Sequence, residues 1–394
     1  MLGLRSDAAA TLSAPHSVAG AAVAVRLPLV DVLKGLACVV IVGHHFARYG
    51  PLPAHASPLA PGLFEWLAQD GRLAVQVFLV LAGFLAAGSL APDGVLRGDR
   101  PLARVMQRYG RLVMPYLAAL SVGVLVAAIV RPWLDGDTVP AAPVLAQLIA
   151  HGLLLQDLLG YDALSTGVWY VAIDFQLFVL ALAAIALSES LQRRWPARIR
   201  PSRWLAVAVV LVLAIASLAV FNRHEALDDT ALYFFGAYGL GMLVFWIGRA
   251  ARRSTWRFAV LLLALVGAAT LALDWRSRIA VALVTALMIV AAQRHAAAAP
   301  ALWPRLAQPL VYLGRISYSL FLIHFPVLLL MSAAIGRVAP AGPWAALLGL
   351  AATFALSVAA AALLYRWVEC RPTSWRAVLA LFAALLLCGA VVSA

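Results

Sequence analysis

The chain has 394 residues, of which 64% are apolar and only 12% charged, and its formal net charge is +13. Composition of this kind sets it apart from soluble domains. Runs of about twenty apolar residues, long enough to cross a bilayer as helices, recur along its whole length. The basic residues form no stripe with interleaved aromatics, which excludes a nucleic-acid partner.

Residues 1–26 are Ala-rich and polar, with a faint signal-like run from Val18 to Val25; they read as a short, disordered cytoplasmic tail. The first apolar segment, 29–47, holds Lys34, the only lysine, together with Asp31, His44 and His45. Eleven residues make about three helical turns, so Lys34 and His45 share a face roughly 16 Å apart along the axis. Asp31 falls about one turn below Lys34, and His44 points about 80° away from it. Ionisable groups at membrane depth are costly and read first as functional. The alternative is an interfacial Asp31–Lys34 pair, with the histidines merely ending the helix.

Ten further spans follow, at 72–90, 111–130, 168–188, 203–221, 231–248, 257–273, 278–293, 309–333, 343–366 and 375–393. The stretch 141–160 carries Gln147, His151, Gln156 and Asp157 and reads as an interfacial or re-entrant helix. Arginines crowd alternate loops: Arg97 to Arg108, Arg193 to Arg200, Arg249 to Arg253, Arg294 with Arg305, and Arg366 to Arg376. The intervening loops are acidic or mixed, with Glu65 and Asp70, Asp135 to Asp162, Glu225 to Asp229, and Asp274. Lys/Arg excess marks the cytoplasmic side, so the N-terminus is expected inside and the C-terminus outside. Cys38, Cys370 and Cys388 lie in or beside apolar segments without framework spacing and read as packing residues. The fold class expected is all-α: a polytopic bundle of about eleven transmembrane helices.

Four more stretches carry polar residues that lipid-facing packing does not need. Arg104, Arg108 and Arg111, spaced 4 and 3, make one basic face able to hold phosphate by charge and bidentate bonds; ordinary positive-inside anchoring explains them equally. Trp169-Tyr-Val-Ala-Ile-Asp174-Phe-Gln176 puts a carboxylate some five residues into an apolar run. Asp174 should pair with a buried cation or orient a histidine, unless it sits near the interface beside an aromatic belt of Trp169 and Tyr170. Within the ninth span, Ser317, Tyr318 and His324 precede Pro326, which should loosen the backbone; interhelical hydrogen bonding is the simpler reading. Glu369, amid Arg366, Arg371 and Arg376, reads as a structural ion pair.

Taken in order, these segments resemble the integral-membrane acyltransferase-3 family. Lys34 through His45 resembles its Arg/Lys-x10-His motif, with Asp31 where an Asp commonly precedes. Gln76 to Phe84 resembles its Phe-Phe-x-x-Ser-Gly-Phe segment, with Ala82 for the serine. Arg108-Tyr-Gly-Arg111 is similar to its Arg-x-x-Arg motif, and Trp169 to Gln176 to its Trp-x-x-x-x-Glu stretch, with Asp174 for Glu. Gly314 to Pro326 resembles its Gly-x-Ile-Ser-Tyr-x-x-Tyr-Leu-x-His-x-Pro signature, with Phe321 for the second Tyr, and Tyr365 to Pro372 fits its ending. The resemblance covers 27–372 and leaves 373–394 as an additional C-terminal helix.

The resemblance implies O-acylation of a cell-surface or exported glycan in a bacterial inner membrane. The acyl group, acetyl most simply, would come from acyl-CoA as co-substrate, with no resident cofactor or metal. It implies His45 as catalytic base, chosen over His44, with Asp174 and His324 orienting it or lining the acceptor side. Lys34, Arg104, Arg108 and Arg111 would serve the donor; Asp31, His44, Trp169, Ser317, Tyr318 and Glu369 would support the site. Expected partners are the bilayer, a glycan or lipid-linked saccharide acceptor, and a separate extracytoplasmic acyl-handling protein if transfer is relayed. The rival reading is a transporter or exporter of an anion or glycan precursor, for which buried charges and helices broken at Pro115 and Pro326 would also serve.

Overall fold

The computed structural model describes residues 28–98, 100–134, 138–194, 203–295, 307–338 and 342–393. The N-terminal tail lies outside them, as do the loop residues Asp135, Asp137, Arg198, Arg200 and Arg305. Every regular element among the described residues is helical. In chain order these are α1 (Pro28–Arg48), α2 (Leu52–Ala56), α3 (Pro61–Asp70), α4 (Ala74–Leu90), α5 (Pro101–Val130), α6 (Leu145–Gly152) and α7 (Trp169–Arg194). There follow α8 (Arg203–Ala219), α9 (Ala231–Gly248), α10 (Arg253–Leu273), α11 (Ser277–His295), α12 (Gln308–Arg315), α13 (Ser317–Val338), α14 (Pro343–Leu364) and α15 (Trp375–Ser393). Eleven helices among the described residues are long and apolar enough to cross a membrane, so the chain is a polytopic helix bundle. The segment 141–160 contributes only the eight-residue α6, too short to span.

Small residues let the central helices meet. Gly83 of α4 lies against the Tyr238 carbonyl of α9, and Gly241 of α9 against the Val80 carbonyl of α4. The same reciprocal arrangement docks α12 on α1: Gly35 abuts the Leu310 carbonyl and Gly314 the Asp31 carbonyl. A Cβ at any of the four would strike backbone, and close approach of this kind is how packing is gained where lipid offers no hydrophobic drive. The helices α4 with α9, α1 with α12, α13 with α14, α8 with α9, and α5 with α15 make the main pairings. Helix α10 buries none of its side chains and stands at the periphery.

Three expectations are corrected. The second span is preceded by helix, because α3 runs through the turn Gly71–Leu73 into α4, and the helical segment reaches from Pro61 to Leu90. The ninth span is not continuous from 309: Ile316 separates α12 from α13, since the glycine-mediated docking of α12 on α1 forces the chain to turn before it crosses. Pro115 and Pro326 lie inside unbroken α5 and α13; neighbouring helices sustain such prolines in a bundle.

Candidate active site and donor cavity

The two α1 histidines part company at the end of the helix. The Leu67 carbonyl lies 2.8 Å from His44 Nδ1, which therefore donates to α3. His45 faces α13, where its Nδ1 lies 2.7 Å from His324 Nε2, the two rings tilted by only 6°. His324 Nδ1 in turn lies 3.0 Å from the Leu320 carbonyl. A carbonyl only accepts, so the neutral relay has one arrangement. His324 donates from Nδ1 and accepts at Nε2, and His45 donates from Nδ1 and keeps the lone pair on Nε2. Both imidazoles are buried, His324 completely. Around His45 stand Tyr49, 6.0 Å away ring to ring, and Gly167, a Cβ on which would lie 3.6 Å from His45 Cε1.

Below this pair, towards the arginine-rich helix ends, lies a cavity of about 1290 Å³. Five cations line it, Lys34, Arg108, Arg111, Arg315 and Arg371, against two carboxylates, Asp174 and Glu369. Phe78, Leu81, Ala82, Leu85, Val171 and Phe178 supply an apolar flank. Such a cavity suits a long ligand that is anionic at one end and uncharged along its arm. Neither His45 nor His324 is among its lining residues.

Asp174 finds its cation in Arg108, whose Nη2 contacts Asp174 Oδ2, and the guanidinium also lies 5.5 Å from the Phe178 ring centre. Of the two expectations for Asp174, pairing with a buried cation and orienting a histidine, the contact is with the cation: Asp174 meets Arg108 and not His45. Arg104 does not join the basic face of the cavity; it donates to the carbonyls of Ser89, at 3.1 Å, and of Arg97, tying α5 to the preceding loop. Lys34 and Arg111 both face the cavity and lie close enough to Glu369 to act on its charge.

Glu369 has a capping role that the ion-pair reading did not suggest. Its Oε2 accepts from Ser319 N–H at 3.1 Å and from Ser319 O–H at 2.6 Å, a favourable place for a carboxylate at the start of α13. The π-helical turn Tyr365–Glu369 brings both of its end residues onto the cavity wall; such turns recur at functional sites. Ser317 O–H donates to the Gly314 carbonyl at 3.0 Å, and Tyr318 O–H to the Leu112 carbonyl at 2.8 Å, fixing the α12–α13 corner and bracing α13 on α5. Asp31 is buried with its backbone against Gly314. Trp169 packs on Phe234 at 5.6 Å and anchors the start of α7.

Several residues given no site role in sequence stand beside the site. Phe321, read only as a departure from the signature, and Tyr170, read only as an aromatic-belt residue, are in T-shaped contact at 5.5 Å and line the cavity, with the Phe321 ring 6.2 Å from that of His324. Tyr238, fully buried on the cavity wall, leaves its hydroxyl without a partner, as do Arg108 Nε and Asp174 Oδ1. His151 pins the segment that leads to Gly167: its Nδ1 donates to the Gln147 carbonyl at 2.9 Å and its Nε2 accepts from Leu164 N–H at 3.1 Å. Burial pushes its pKa down to about 4, so it stays a neutral strut. Its helical spacing from Gln147 was the one available signal. No group of three or more metal-ligating side chains occurs among the described residues.

No curated protein and no solved structure matches the chain. A family model does, described as an acyltransferase domain (Acyl_transf_3), and it matches residues 28–366. That match begins at α1 and ends in the π-helical turn, so it takes in the histidine relay and most of the cavity wall, but not Glu369 or Arg371. The chain accordingly belongs to the Acyl_transf_3 family of membrane acyltransferases.

Proposed function

We propose that this enzyme transfers a short acyl group, acetyl most simply, from acyl-CoA to a hydroxyl of an exported or cell-surface glycan, with His45 as general base. The observation that carries the reading is the relay from His45 through His324 to the Leu320 carbonyl. It leaves His45 Nε2 with the lone pair that a base needs. The acceptor hydroxyl gives its proton to Nε2 as its oxygen attacks the thioester carbonyl. The C–S bond then breaks, and the proton on His45 returns to the departing thiolate.

The cationic cavity supports the donor assignment. Lys34, Arg111, Arg315 and Arg371 would hold the nucleotide phosphates, and the apolar flank the pantetheine arm. The positive-inside pattern supports a cytoplasmic location for this end, where acyl-CoA is made, with His45 towards the outer face; the family resemblance supports a bacterial inner membrane. Tyr49 and the segment before α7 would then line the acceptor side, for a glycan, a lipid-linked saccharide or a separate acyl-handling protein.

Mass spectrometry of surface polysaccharide from cells with and without the chain tests the reading. Loss of a single acyl mass on deletion, restored by the wild type and not by His45→Ala, is the expected result. Unchanged acylation on deletion would overturn the function. Labelling of Arg111→Cys from the outside only would overturn the orientation.

A further inference from the structure

We propose that the aromatic partition of Phe321 and Tyr170, closed against Gly167, sets the size of acyl group transferred, with Phe321 as the specificity-determining residue. This rests on the donor reading of the cavity and on His45 as base. Phe321 and Tyr170 line the cavity, whereas the two histidines behind them do not. The Phe321 ring centre is 6.2 Å from that of His324, because residues three apart share one face of α13. On its far edge the ring meets Gly167: a Cβ there would lie 2.9 Å from Phe321 Cζ. Gly167 also has φ +80°, a backbone that suits glycine. Tyr170 is braced in turn by Phe78 at 6.1 Å.

The thioester carbonyl must reach His45 for chemistry, while the nucleotide stays with the arginines. The acyl chain therefore passes Phe321, and its width and length are gauged there and not in the roomy cavity below. Each further methylene that has to find room at a packed aromatic wall costs about tenfold or more in kcat/KM.

Membranes carrying the full chain, with acetyl-, butanoyl- and hexanoyl-CoA as probes, provide the test; thiol release and the acyl mass on glycan are read together. Phe321→Ala and Phe321→Leu should raise the hexanoyl-to-acetyl ratio of kcat/KM by about tenfold or more, with the affinity for CoA itself unmoved. Gly167→Ala should act the other way and penalise hexanoyl most. An unchanged ratio in both Phe321 variants, with CoA still bound, would overturn the partition. So would a Gly167→Ala enzyme that uses hexanoyl-CoA as well as the wild type does. Should Phe321→Ala fail to fold, the other two variants decide. Thiol release with an unaltered chain-length profile defeats the partition alone; no release from any probe by the wild type defeats the donor reading, and the partition falls with it.

Discussion

The arginine-lined cavity and the histidine relay meet at Phe321, which lines the first and lies 6.2 Å from the His324 ring of the second, yet they are built on opposite principles. The cavity is wide and charged, and its Arg108, Asp174 and Tyr238 each keep a polar atom unpartnered. The relay is buried, with a hydrogen bond at each step from His45 to Leu320. On the proposed function, holding a polyanion calls for many fixed charges, whereas a base calls for one lone pair with its proton directions settled. Putting both in one chamber would set five cations beside the proposed base. Keeping them apart would then require the reacting group to pass between them.

Substitutions on either side should therefore give different kinetic signatures. The largest effect is expected at the relay: His45→Ala should lower kcat by about 10²–10⁴-fold while CoA binding, read by thermal shift, persists. His324→Gln should lose less and displace the pH–rate profile, because it alters the partner that fixes the His45 tautomer. Loss of CoA binding in His45→Ala would mean that the two chambers are one.

On the cavity side, Arg108→Gln or Asp174→Asn should each destabilise the fold by about 3 kcal/mol, the low end for buried pairs, since Arg108 is a third exposed to the cavity. The double replacement Arg108→Met with Asp174→Leu should recover much of that stability without recovering activity, as followed by unfolding in detergent. Lys34→Gln and Arg111→Gln should raise KM for acyl-CoA about tenfold, equal to about 1.4 kcal/mol, with kcat little changed and a flatter response to salt. Smallest of all should be the change in kcat for His44→Asn, since His44 spends its Nδ1 proton on α3. If it matched His45→Ala in kcat, the division between the two histidines would fail.

Much of this was readable in the chain. Runs of apolar residues gave the spans because a bilayer admits few alternatives, and the 100° step along a helix already separated His44 from His45. The turn at Ile316 was hidden, since Arg315 and Ser317 beside it fit a helix as readily as a turn, and only the docking of Gly314 and Gly35 on the opposing backbone reveals why the chain bends. Arg108 and Asp174 were each visible as costly charges, but 66 residues separate them, and no local pattern announces such a pairing. Phe321 and Tyr170 were visible only as a motif position and an aromatic-belt residue, because an aromatic that lines a cavity and one that packs look alike in sequence.

The His45–His324 contact also bears on how the protein is made. Its two residues are 279 positions apart, and at 5–20 residues per second a ribosome needs roughly 14–56 s to travel from one to the other. For most of that interval α1 is already synthesised while α12 and α13, which pack against it, do not yet exist. The relay therefore forms only once the ninth membrane-spanning helix is made, and on the proposed mechanism a nascent chain stalled before residue 324 should be unable to acylate.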